Sequence, residues 1–166
     1  MAGMEQYLKF NKDVYINDEK IRPYLVPLEV TIGPPPAGPT TAVAQYNNPE
    51  RFVYFIKSIS GYVLLGSDAD PLYINVKIEV THSSQLLMPI DRPFRLAWFM
   101  QDYAGSGNRK GLELNIPQIV RPGATIMASF EALSGLSSGT KVAGILLHGI
   151  IIDKNFLELD RILRQR

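Results

Sequence analysis

From Leu72 to Val80 the chain alternates without a break. Leu72, Ile74, Val76, Ile78 and Val80 fall on one side; Tyr73, Asn75, Lys77 and Glu79 fall on the other. A repeat of two is the period of a β-strand with one dry and one wet face, and an amphipathic helix cannot carry it. The pattern recurs. Phe94, Leu96, Trp98 and Met100 share one parity, as do Leu112, Leu114 and Ile116, and again Ile126, Ala128, Phe130 and Ala132. Residues 24–32, 51–65 and 141–152 are rich in β-branched and aromatic residues, and Gln85–Met88 forms a short run ended by Pro89. These segments predict about eight strands joined by short connections. Helical periods are not interleaved with them, so a parallel α/β sheet is excluded, and a two-sheet antiparallel sandwich is expected, jelly-roll or Greek-key-like. Its core is expected to include Leu72, Ile74, Val76, Ile78, Phe94, Leu96, Trp98, Ile126, Phe130, Leu146 and Ile150.

The punctuation divides the chain in three. Residues 1–22 form an N-terminal arm or edge segment, polar but carrying Tyr7, Phe10, Tyr15 and Ile16. Residues 23–152 form the sandwich domain. Pro23 and Pro27 mark an edge strand there, because proline has no N–H to give a ladder. Gly33-Pro34-Pro35-Pro36-Ala37-Gly38-Pro39 fits neither helix nor central strand and predicts a stiff, extended loop of polyproline type. Residues 153–166 predict the one helix, a short C-terminal element from Asp153 to Gln165. Asp153 stands at its N-cap, Phe156, Leu159 and Leu163 form a stripe joined by Ile162, and arginines gather at its end.

Composition removes whole classes of function. There is no cysteine, which rules out disulfides and thiolate metal sites. The net charge is +1, which draws the chain to neither nucleic acid nor membrane. No uninterrupted apolar run is long enough to span a bilayer. The opening residues Met1–Gln6 lack the basic-then-apolar character of a secretory signal, so synthesis in the cytoplasm is expected.

Chemistry-bearing residues are few. His82 and His148 are the only histidines, and nothing in their spacing pairs them with a carboxylate. His82 reads as an exposed turn residue and His148 as a half-buried, hydrogen-bonded one. Asp68, Asp70 and Asp102 offer oxygen for a hard cation but lack the remainder of a calcium loop, so an ordinary turn is the stronger reading. The loop 105–111 resembles a phosphate loop without its Gly-Lys-Ser/Thr ending or a following helix. Gly135-Leu136-Ser137-Ser138-Gly139 matches Gly-x-Ser-x-Gly by letter, but a nucleophile elbow needs a helix after the serine and a strand is predicted there. No catalytic residue, cofactor or metal is expected, and the chain reads as a non-enzyme.

One resemblance adds to this. Tyr73-Ile74-Asn75-Val76-Lys77-Ile78-Glu79-Val80, Met88-Pro89-Ile90-Asp91-Arg92-Pro93-Phe94, Val120-Arg121-Pro122-Gly123-Ala124-Thr125-Ile126 and Ile145-Leu146-Leu147-His148-Gly149-Ile150 follow in an order that resembles the small β-sandwich structural proteins of tailed-bacteriophage virions. The resemblance covers the middle and end of the chain and is one of pattern. It implies a virion protein made in the host cytoplasm: head decoration or cement, spike base or neck component. Its partners would be itself, as a homo-oligomer, and other virion proteins. The expected assembly contacts are Tyr7, Phe10, Tyr15 and Ile16 of the arm, Pro34, Pro35 and Pro36 of the loop, and Phe156, Leu159 and Leu163 of the helix, docking on the same or a neighbouring chain. The competing class is a carbohydrate- or other ligand-binding sandwich, which needs exposed aromatics; placing Trp98 in the core argues against it.

Overall fold

A computed structural model describes residues 21–81, 93–100 and 111–155. Eight strands build it: β1 Ile21–Ile32, β2 Thr41–Asn47, β3 Phe52–Leu64, β4 Ile74–Val80, β5 Phe94–Arg95, β6 Leu112–Val120, β7 Thr125–Ala132 and β8 Lys141–Asp153. They form two four-stranded sheets, one in the order β1-β8-β3-β6 and the other β2-β7-β4-β5. Every pairing is antiparallel. The chain crosses between sheets at every connection except β4 to β5. That order is an eight-stranded jelly roll, the fold class expected from the alternation.

The inward faces meet in one core. Val26, Leu28, Val30 and Ile32 of β1 and Ala143, Ile145, Leu147 and Ile151 of β8 face Ile74, Val76 and Ile78 of β4 and Ile126, Ala128 and Phe130 of β7. Tyr54 lies fully buried among them and donates its hydroxyl proton to the Leu147 carbonyl at 2.6 Å, so its one polar group is satisfied. Prolines sit where a ladder does not need their missing donor: Pro23 and Pro27 in the edge strand β1, Pro117 in the edge strand β6. A bulge at Lys57 lets Ile56 and Ile59, three residues apart, both point inward. Gly149 lies opposite it, so close to β3 that a Cβ there would overlap the Phe55 carbonyl oxygen.

Several expectations are corrected. Leu72 is not a strand residue. Asp70–Tyr73 form a 3-10 turn with Pro71 near its start, and Leu72 points to solvent. Phe94 to Met100 is not one strand either. The ladder ends at Arg95, and Leu96–Phe99 wind into a second 3-10 turn. Its period of three buries Leu96 and Phe99 together and turns Trp98 outward, 56% exposed, against the expected core position. In β8 the core face is Ala143, Ile145 and Leu147, so Leu146 and Ile150 face outward and are only half-buried. The proline loop is folded back, not extended: Gly33 N–H donates to the Pro39 carbonyl at 3.1 Å and Ala37 N–H to Pro34 at 2.8 Å. Ile21 and Arg22 belong to the edge strand β1, and Asp153 still closes β8. Strand β2 had no counterpart in the sequence reading. The segment 85–88 and residues 156–166, over which the C-terminal helix is expected, lie outside the described residues.

Candidate functional site

The strand registers bring three connections to one end of the sandwich. Ile32 and Leu64, at the ends of β1 and β3, pair with Lys141 and Val142 at the start of β8. In the other sheet, Thr41 at the start of β2 and Ile74 at the start of β4 pair with Glu131 and Ala132 at the end of β7. The β1–β2, β3–β4 and β7–β8 connections therefore form one loop end, and β5 ends and β6 begins there.

A buried carboxylate pins two of these loops together. Asp70 is 1% exposed. Its Oδ2 accepts from Ser67 N–H at 2.6 Å and from the Ser137 hydroxyl at 2.8 Å, and its Oδ1 accepts from Ser137 N–H at 2.9 Å. Burial alone would push this carboxyl up. The bonds from Ser137 and Ser67 and the nearby Lys141 charge outweigh it and hold the group below the usual carboxylate range. Lys141 is itself buried and donates to the carbonyls of Ser138 at 2.6 Å and Gly139 at 3.1 Å. Leu133 N–H donates to the Tyr73 carbonyl at 2.9 Å. Gly135, at φ +113°, lies against the Tyr73 ring; a Cβ there would come within 2.5 Å of it. Thr140 then ties the β7–β8 loop to the proline loop, its hydroxyl donating to the Ala37 carbonyl at 2.8 Å.

The sign of the pH dependence follows. Asp70 titrates lower in the folded chain than in the unfolded one, so its stabilisation is complete above the ordinary carboxylate pKa and is lost as pH falls through its lowered value. Acid titration of thermal stability should show this loss in the natural chain, and Asp70→Asn should remove that component.

Around the pinned loops sit large apolar side chains in water. Leu65 is 80% exposed, Trp98 56%, Leu72 53% and Leu64 52%, with Tyr73 partly exposed beside them. The turns carrying Leu72 and Trp98 lie against each other, and Trp98 meets Phe94 edge-on at 5.4 Å between ring centroids. Leu72 and Trp98, on turns that lie against each other, and Leu64 and Leu65 at the end of β3 leave much of their apolar surface in water. Leu65 is also the one non-glycine residue with positive φ among the described residues, at 62°. A leucine in the left-handed region costs about 1–2 kcal/mol, which a glycine would avoid.

Ser137 has Asp70 as its partner, and strand β8 follows its loop, so the elbow geometry is not formed. Asp68 is exposed while Asp70 is buried with both oxygens occupied, so the two do not build one oxygen cage. Among the described residues no cluster of three His, Cys, Asp or Glu could hold a metal. His148 Nε2 lies 2.7 Å from the Ser60 hydroxyl, on the outer face of its sheet and far along β8 from Ser137. Gly111 leads directly into β6, so no helix follows the 105–111 loop. Pro35 and Pro36 are exposed and Pro34 half-buried at the loop end, close in the chain to the Ala37–Thr140 tie. His82, Asp102, Tyr7, Phe10, Tyr15, Ile16, Phe156, Leu159 and Leu163 lie outside the described residues.

The sequence reading missed Leu65, Leu72 and Trp98 as surface residues, and Asp70 as the pin. A signal was present in Asp70-Pro71, a turn-initiating pair, and in the three-residue spacing of Leu96 and Phe99.

Fold and loop end together define a jelly-roll domain that exposes Leu64, Leu65, Leu72 and Trp98 at one end, besides Val43, Leu25 and Ile119 along its strands. No protein-family model matches the chain, and no match was found among curated proteins or solved structures.

Proposed function

We propose that this jelly roll is a structural protein of a tailed-bacteriophage virion, a head decoration or cement, spike-base or neck component. It acts through assembly contacts with itself and with other virion proteins, and it catalyses no reaction. The virion reading comes from the sequence resemblance. The jelly roll is compatible with it, since viral capsid domains use this fold, but lectin domains and cupins use it too, so function has to be argued from the surface. The observation that carries the assembly reading is the exposed Leu65 and Leu72 on the β3–β4 loop that Asp70 ties down, with the exposed Trp98 on the turn lying against it. Such a surface loses little entropy on binding, and apolar and aromatic anchors in that state dominate interface energies. The proline loop belongs to the same end and extends it.

Two variants separate assembly from folding. Leu65→Gly relieves the positive-φ strain and should stabilise the chain by about 1 kcal/mol while weakening association. Trp98→Ser should leave the melting temperature within a few degrees of the natural chain and also weaken association. Native mass spectrometry gives the oligomer distribution, and calorimetry gives the stability. Unchanged association in the double variant would rule out this end as the contact surface.

The carbohydrate-binding reading gains from the position of Trp98, since an exposed tryptophan can serve as a sugar platform. Against it, the ring packed on Trp98 is Phe94 and the turn beside it carries Leu72, both apolar, whereas a sugar site needs polar groups around its ring. Binding on a glycan array, lost in Trp98→Ser, would favour that reading over assembly.

A further inference from the structure

A sheet edge offers backbone N–H and C=O groups to any strand that meets it, and natural sheets blunt their edges with proline, charge, a bulge or shortness. Three of the four edges here are blunted. β1 carries Pro23 and Pro27 with the charges of Arg22 and Glu29, β6 carries Pro117 and a register shift against β3, and β5 is two residues long. β2 has none of these devices. Its seven residues, Thr-Ala-Val-Ala-Gln-Tyr-Asn, include no proline and no charge, and its register on β7 runs unbroken. Among the described residues β7 is its only ladder partner. The bonds at its two ends fix the direction of its backbone groups. Ala132 N–H donates to the Thr40 carbonyl at 2.7 Å just before β2, and Asn48 N–H donates to the Ala124 carbonyl at 2.9 Å just after it. Bonded pairs recur at every second residue, so the even-numbered residues turn their backbone to β7. Thr41, Val43, Gln45 and Asn47 turn theirs to the open edge, and all four are exposed.

We propose that β2 is a self-association edge, pairing antiparallel with β2 of a second copy about a two-fold axis at Val43 and joining two four-stranded sheets into one. The strand's own composition selects a second copy as the occupant. A two-fold axis sets a strand against itself, so a charge in it would meet its like; β2 has none to repel. Centring the axis on Val43 places Val43 opposite its own counterpart and Thr41 opposite Gln45, in both directions. Val43 is 61% exposed, whereas Thr41 and Gln45 beside it on β2, Ser129 across the ladder and Lys77 beyond are polar. Pairing therefore takes the strand's one outward apolar side chain out of water and sets it against another β-branched one, a favourable cross-strand pair. The contact is isologous and closes at two copies, because each copy spends its one open edge. That edge is about 24 Å long. Pairing along part of it buries less than the roughly 1,000 Å² of a stable interface, so the dimer is weak by itself and fills at high concentration or where other contacts bring copies together. It runs along the side of the sandwich, uses none of the exposed loop-end side chains, and does not rest on the virion reading.

The test is run on the full-length chain in the Leu65→Gly/Trp98→Ser background, which silences the loop end and so separates the two contacts. Sedimentation at concentrations up to about 1 mM should show a monomer–dimer equilibrium. Val43→Pro removes an outward donor and leaves the β7 ladder intact, and Val43→Lys sets two ammonium groups face to face. Each should stay folded by circular dichroism and raise the dimer Kd by roughly tenfold or more. An equimolar mixture of Val43→Lys and Val43→Glu should recover a mixed dimer, because residue 43 faces itself only in this register. Cysteine gives a second readout, since the natural chain has none. A bonded cross-strand pair holds its Cα atoms about 5.5 Å apart, within disulfide reach. Val43→Cys should therefore double in mass under mild oxidation, with or without the loop-end substitutions, while Ile119→Cys, exposed on the edge strand β6, should stay at monomer mass. A monomer at every concentration, Val43→Lys associating like its parent, or a Lys/Glu mixture that recovers no dimer would overturn the assignment.

Discussion

Val76→Asp is expected to abolish the folded state. Val76 is 1% exposed and sits in the middle of β4, flanked on the same face by Ile74 and Ile78 and paired across the ladder with Phe130. No cation is among these neighbours, so the new carboxylate would have to stay charged in hydrocarbon or take up a proton at neutral pH. Leaving a buried charge unpaired costs about 3–5 kcal/mol, a large part of a domain's whole stability of about 5–15 kcal/mol. Lost packing of the valine methyls adds to it. Circular dichroism at neutral pH should show loss of the strand signal or a melting transition far below that of the natural chain. The control is Lys77→Asp, one residue along on the wet face. It removes the Lys77–Glu79 ion pair, an exposed contact worth little, and should remain folded. Equal melting temperatures for Val76→Asp and the natural chain would contradict the face assignment.

Asp70→Ala is the second large effect. It removes the acceptor for two backbone N–H groups and one hydroxyl in a place closed to water. It also takes away the charge that faces Lys141. Bonds to a charged group contribute about 1.5–3 kcal/mol each, and donors left without partners add a penalty. Partial relaxation of the loops offsets some of this, so the expected net loss is about 3 kcal/mol, a drop of roughly 6–12 °C in Tm for a chain of this size. Ser137→Ala removes only the hydroxyl bond and should cost about 1 kcal/mol. Because Asp70 holds the β3–β4 and β7–β8 loops in register, its loss should weaken association more than its effect on stability alone would produce. An Asp70→Ala chain that melts like the natural one would show that the carboxylate carries no structural load.

The sandwich was legible because β4 and β7 obey period two with few exceptions, and only a sheet with one dry face does that. Legibility failed where another force took over. In β8 both faces are apolar, so alternation could not choose between Ile145 and Leu146, and the odd-numbered set proved to face the core. Strand β2, Thr-Ala-Val-Ala-Gln-Tyr-Asn, is an edge strand of mostly small side chains and gave no hydrophobic signal. The bulge at Lys57 changes parity partway along β3, which no local pattern announces. Trp98 was assigned to the core because Phe94, Leu96, Trp98 and Met100 read as alternation, while a 3-10 turn sorts Leu96 and Phe99 inward by threes. Of the loop end, only the prolines were foreseen as a contact surface. Asp70 and Ser137 were weighed for a cation and for a nucleophile, but 67 positions separate them, and only the topology brings them together.

The assembly reading is tested most directly by particle attachment. The full-length chain is added to, or co-produced with, assembled phage particles, which are banded on a density gradient and inventoried by quantitative mass spectrometry. The natural chain is expected to band with the particles in a fixed stoichiometry, and Leu65→Gly/Trp98→Ser to stay at the top of the gradient while still folded. A natural chain that remains folded and monomeric at the top, with none in the particle band, would contradict it.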